Sequence, residues 1–150
     1  MVAYKPKQRS IDVPPRDWKK IDLKNFSFYM PPSMKEVQAK GIDSFVWEAS
    51  SHSTRLIIDF GVHSNDLTSY REWPNFQEQI VRIDSRPARL CMFKHANEFM
   101  DSADGDRLYI AAVHFSEVGL GNNRLTFWLA SNNEAEQKAA ETIFYSIKFH

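Results

Sequence analysis

Cysteine is almost absent: Cys91 is the single one in 150 residues. That excludes an intrachain disulfide and a zinc centre built from cysteines. It sits in the apolar run Arg89-Leu90-Cys91-Met92-Phe93, which reads as a buried, inert thiol. Glycine is scarce as well, with five in all, which leaves little room for phosphate-cradling loops. Gly119-Leu120-Gly121 leads into a strand-like segment rather than a helix. No apolar run approaches the roughly eighteen residues that a membrane span needs. Charge of one sign is lacking too, since nineteen Lys and Arg offset nineteen Asp and Glu. That balance argues against nucleic acid as a partner. The first thirty residues hold no apolar signal core. The expected compartment is the cytoplasm if Met1 is the natural start, and outside it if a leader was removed.

What is present fits one globular domain. Apolar residues make up 43%, a proportion that with zero net charge excludes disorder over most of the length. Residues 1–17 lack periodicity and carry Pro6, Pro14 and Pro15, so they read as an extended or mobile arm before a domain at 18–150. Residues 1–24 hold seven Lys or Arg against three Asp, a net +4 that the remainder balances with −4.

The spacing of apolar residues then predicts a series of strands. Phe26, Phe28 and Met30 alternate with Ser27 and Tyr29, and Pro31-Pro32 stops the run. Phe45 to Ala49 and Leu56 to Phe60 form a hairpin around the 50–53 turn. Asn65 to Trp73 predicts one helical turn capped by Asn65 or Asp66 and ended by Pro74. Phe76 to Ile83 has two mixed faces, as an edge strand does, and Asp84-Ser85-Arg86-Pro87 turns it into Ala88 to Phe93. Leu108 to Phe115 and Leu125 to Ala130 make a second hairpin. The chain closes with a helix. Ser131 and Glu134 have capping-box spacing, with Asn132 and Asn133 as rival caps. Ala135, Ala139, Ile143 and Ile147, with Ala140 and Phe144, form its apolar stripe.

The fold class expected from this order is α+β. An antiparallel sheet of about six to seven strands is flanked by helices, and the long C-terminal helix packs on one face. Several strands are apolar on both sides, so the other face needs a cover from the 65–73 segment, the 95–104 segment or the arm.

The order of short motifs carries a resemblance. Phe26-Ser27-Phe28-Tyr29-Met30-Pro31-Pro32 precedes Gly41-Ile42-Asp43-Ser44-Phe45-Val46 and Ile58-Asp59-Phe60-Gly61-Val62-His63-Ser64. Ile83-Asp84-Ser85-Arg86-Pro87-Ala88 and the closing Ile143-Phe144-Tyr145-Ser146-Ile147-Lys148-Phe149 follow. Over about residues 18–149 this resembles the PsbP-like superfamily, which takes in PsbP, MOG-type Ran-binding proteins and related small bacterial proteins. The resemblance implies a sheet between helices and a binding or assembly role. It supplies no site residue.

Chemistry-bearing clusters are sparse. The histidines are His52, His63, His95, His114 and His150, with no pair at helical metal spacing. Asp59 and His63 meet at a strand end, and His114 joins them if its strand is the neighbour. Asp101, Asp104 and Asp106 surround Gly105 without the alternation of a calcium loop. No nucleophile elbow occurs, and Cys91 and His95 lie about 13 Å apart along a strand. Tyr70-Arg71-Glu72-Trp73-Pro74 places two aromatics beside Arg71 in a connection. That is interface chemistry, unless the aromatics fold down as a lid on the core.

The expected function is therefore a non-enzymatic binding or assembly module whose partner is another protein, met through the basic arm and the 65–76 loop with Tyr70, Arg71 and Trp73. The alternative is a small-ligand or metal-ion carrier with a pocket beside Asp59 and His63. No catalytic residue, cofactor or committed metal site is expected.

Overall fold

The computed structural model describes residues 7–8, 15–37, 45–62, 64–95, 107–118 and 123–150. It is an α+β arrangement of mostly antiparallel sheets with one C-terminal α-helix among the described residues. The strands are β1 (Lys7–Gln8), β2 (Lys19–Asp22), β3 (Phe26–Met30), β4 (Lys35–Val37), β5 (Phe45–Ser50) and β6 (Thr54–Gly61). They continue as β7 (Gln77–Ile83), β8 (Arg86–Lys94), β9 (Tyr109–Phe115), β10 (Arg124–Ser131) and β11 (Lys148–Phe149), with helix α1 at Glu134–Tyr145. The large sheet runs β1-β7-β8-β9-β10-β6-β5-β4, and the small one β11-β3-β2. Among the described residues every pairing is antiparallel except that of β1 with β7.

The expectation of a sheet flanked by helices is met in part, since among the described residues the one α-helix lies on one face. One face of the large sheet is covered by α1 together with the small sheet, not by helices alone. Phe26, Phe28 and Met30 of β3 are buried against Trp47, Phe127 and Phe144. A strand this apolar needs another apolar layer to lie on, and Pro31-Pro32 separates it from the strands that follow. On the opposite face the cover among the described residues is an irregular segment, residues 64–76, with a 3-10 turn at Thr68–Tyr70; most of the 95–104 segment expected as a cover lies outside the described residues.

Phe127 and Trp128 show how one strand serves both faces. Successive side chains point oppositely, so Phe127 joins the larger cluster and Trp128 the smaller one. The β7–β8 hairpin closes through Asp84 (φ 48°) and Ser85 (φ 64°). Two positive values match the twist of the flanking strands. Asp84 Oδ2 also accepts the Phe149 N–H at 2.7 Å, which fastens the end of the chain to this turn.

The helix is capped two residues later than the Ser131-Glu134 spacing suggests, at one of the two rival caps. Asn133 is the cap, its side chain accepting the Glu136 N–H at 2.9 Å. Ser131 is buried in β10 and donates instead to the carbonyls of Tyr109 and Asn133. The buried stripe is Ala140, Ile143, Phe144 and Tyr145, while Ala135 and Ala139 stay exposed.

Candidate functional site

Four polar residues interrupt the apolar strands on the second face, and the register sets them in one row. Arg89 pairs with His114, His114 with Thr126, and Thr126 with Asp59, across β8, β9, β10 and β6. The Thr126 hydroxyl donates to the Asn65 carbonyl at 2.6 Å. It has one proton and two lone pairs. Its contacts with Ser64 Oγ at 2.5 Å and His114 Nδ1 at 2.8 Å therefore have Thr126 as acceptor. That assigns the proton of neutral His114 to Nδ1. Arg89 Nη1 donates to the Asp66 carbonyl at 2.7 Å, and its Nε lies 3.0 Å from Glu78. The row thus latches the start of the covering segment.

Burial is the largest influence on His114 and holds its pKa below the ordinary 6.5; Arg89 and Arg124 push the same way, against Asp66. Asp66 lies below the usual carboxylate value because the Thr68 N–H and hydroxyl donate to it. Cys91, behind the same segment, is pushed up to about 12, first by burial and then by Glu78. A thiol with so little thiolate is inert, as its apolar run suggests.

Tyr70 and Trp73 fold down onto Phe93. Tyr70 stacks on it at 5.1 Å and 12°, and Trp73 meets it edge-on at 5.6 Å. Both are half-buried, whereas Arg71 points outward and reaches Glu78 at 3.4 Å. The three residues are therefore not one exposed patch. Leu67 enters the 3-10 turn with φ 69°, an unfavourable value for a leucine. Full burial of its side chain and the bond from its N–H to Asn65 Oδ1 at 2.8 Å hold it there.

Asp59 and His114 share the row but stand two strands apart, roughly 10 Å, with Thr126 between them. Asp59 Oδ1 is buried and makes no hydrogen bond among the described residues. His63 lies outside the described residues, as does the 101–106 segment with its three aspartates. Among the described residues no group of three His, Cys, Asp or Glu converges on a metal position. No helix among them is long and apolar enough to cross a membrane.

A second region lies along β7. Lys7 pairs with Val81 and Gln8 with Arg82, so a segment of the N-terminal arm runs parallel to the outer edge of this strand. Beside it, between β7–β8 and α1, a groove of about 630 Å³ is lined by Phe76, Gln77, Met92, Tyr109, Gln137 and Glu141. It adjoins a shallower one of about 270 Å³ at Glu78, Gln79 and Leu90. The composition of β7 predicts an edge strand, but only the tertiary structure brings the arm and the helix to it.

Searches against protein-family models and against curated proteins find no match to this chain. The polar row itself leaves a signal in the sequence. Arg89, His114, Thr126 and Asp59 each stand between two apolar neighbours in a strand.

Proposed function

We propose that the protein is a non-enzymatic binding module that takes up an extended segment of another protein along β7. The observation that carries this reading is the parallel seating of Lys7–Gln8 on that edge. An edge that accepts an extended segment in register offers its backbone groups to others, and a neighbouring groove gives alternate side chains somewhere to go. The arm then acts as an internal stand-in that a partner displaces. This agrees with the binding role implied by the PsbP-like resemblance.

The test uses peptides selected from a random display library against the chain lacking residues 1–14. They are expected to shift the backbone amides of residues 77–83 and to be competed off by a synthetic 1–14 peptide. Ile83 and Arg86 flank the two-residue turn as a hydrogen-bonded pair, so Arg82 turns its N–H away from β8. Arg82→Pro removes that donor while sparing the ladder to β8, and peptide affinity is expected to fall about tenfold. Peptide shifts scattered away from β7, or undiminished binding to the proline variant, would refute the reading.

A further inference from the structure

The last strand is fastened to two turns. His150 N–H donates to the Asn25 carbonyl at 3.1 Å, and Phe149 N–H to Asp84 Oδ2 at 2.7 Å. Beside β11 opens a pocket of about 420 Å³, whose lining includes Lys24, Phe60, Arg86, Val118 and Phe149. That volume falls in the range of small-molecule sites. Its aromatic walls are held from behind. Phe60 packs on Phe26 at a centroid distance of 6.1 Å, and Phe149 meets Phe115 edge-on at 5.0 Å.

The charged lining has one sign. Lys24 and Arg86 bring two cationic side chains, and among the described residues no acidic side chain lines the pocket. The carboxylates nearest to them in sequence are engaged elsewhere, Asp22 by His150 Nε2 at 2.8 Å and Asp84 by the Phe149 N–H. Lys24 is exposed and forms no ion pair among the described residues. The guanidinium of Arg86 stands at the wall itself, because its carbon lies 4.6 Å from the centroid of the Phe149 ring. Its Nη1 donates to the Glu117 carbonyl at 3.4 Å. Its Nε and Nη2 make no hydrogen bond among the described residues, and neither is shut away from solvent. These two nitrogens form one edge of the planar fork, the edge whose parallel N–H groups grip both oxygens of a carboxylate.

We propose that this pocket binds an aromatic carboxylate. Its two oxygens accept from Nε and Nη2 of Arg86, Lys24 supplies the second cation, and its ring rests against Phe60 and Val118. Flat aromatic walls favour a flat apolar body. A cavity of roughly 150 Å³ admits one benzene, so this one has room for a bicyclic ring. The site does not rest on strand uptake along β7.

The experiment titrates the full chain with sodium 2-naphthoate and follows the amides of residues 24, 25, 149 and 150 by NMR. Two compounds are run alongside at matched ionic strength. 2-Naphthylmethanol keeps the rings and lacks the charge; sodium phosphate keeps a charge and lacks the rings. Saturable shifts are expected with naphthoate at about millimolar concentration or below, and binding of either control at least about tenfold weaker. Arg86→Lys keeps the charge and removes the fork, and is expected to weaken naphthoate about tenfold. Lys24→Ala, at an exposed turn position, is expected to weaken it about threefold; it decides the matter if the Arg86 variant fails to fold. Naphthylmethanol binding as tightly would mark a merely apolar groove, and phosphate binding as tightly a plain anion site. Either result overturns the proposal, as does the lack of saturable naphthoate shifts or undiminished binding in the folded variants.

Discussion

The two faces of the large sheet are covered by different kinds of structure. One carries a helix and a second sheet, whose backbone hydrogen bonds are mostly their own, with Phe149 N–H tied to Asp84 and Tyr29 N–H to Ser146 Oγ. Phe26, Phe28, Phe127 and Phe144 interlock there at centroid separations of 5.1–6.5 Å. The other carries residues 64–76, which have one short 3-10 turn and a left-handed leucine. Its aromatics pack as closely, with Tyr70, Trp73, Phe93 and Trp128 between 4.8 and 5.6 Å. The difference is in how the layers are anchored. Regular elements satisfy their own polar groups. An irregular segment needs partners from outside, and Arg89, His114 and Thr126 supply them. Stability on the first face is hydrophobic, and on the second it depends on a polar latch that pH and single hydroxyls can reach.

Three measurements break or sharpen this contrast. The largest effect is expected from Phe127→Ala on the first face, a loss of about 3–5 kcal/mol in denaturant unfolding. A loss no greater than that of a latch variant would dissolve the distinction between the faces. Thr126→Val keeps the shape but deletes the hydroxyl, leaving the Asn65 carbonyl, Ser64 and His114 without their shared partner. It is expected to cost about 1–3 kcal/mol. Hydrogen exchange should quicken in residues 64–68 and not in β3, and uniform quickening would show that the segment is no separate unit.

The smallest effect concerns pH. The folded-state pKa of His114 lies below 6.5, so the unfolded chain takes up its proton first. Its contribution is fully present above about pH 6.5 and is lost as pH falls through that value toward the folded one. The loss should be measurable by unfolding between neutral and mildly acidic pH. His114→Gln should flatten that slope, and an unchanged slope would move the effect to other groups.

Much of the fold is legible in the residues. Strict alternation in Phe26–Met30 marks β3 to the residue, because successive side chains of a strand point to opposite faces. The Asp84-Ser85 turn, the two hairpins and the late helix follow from turn chemistry and periodicity in the same way. The candidate sites are less legible. Lys24 and Arg86 reach one pocket from distant parts of the chain, and Lys7 and Val81 are joined by register alone. Tyr70 and Trp73 illustrate the limit most plainly. Their sequence is equally that of an interface and of a lid, and the choice falls to Phe93 and Trp128, which offer them a surface to lie on.

The sequence by itself determined the central strands and their turns, the closing helix, and that both faces of the central strands require a cover. Those are consequences of local sterics and of the alternation of apolar side chains. Tertiary structure alone decided that a second sheet shares one cover with the helix, that Lys7–Gln8 pair with β7, and that Glu136 accepts the Ser53 hydroxyl across 83 positions. Each of these joins residues far apart in the chain, and such contacts are selected by the global packing of layers rather than by any local preference.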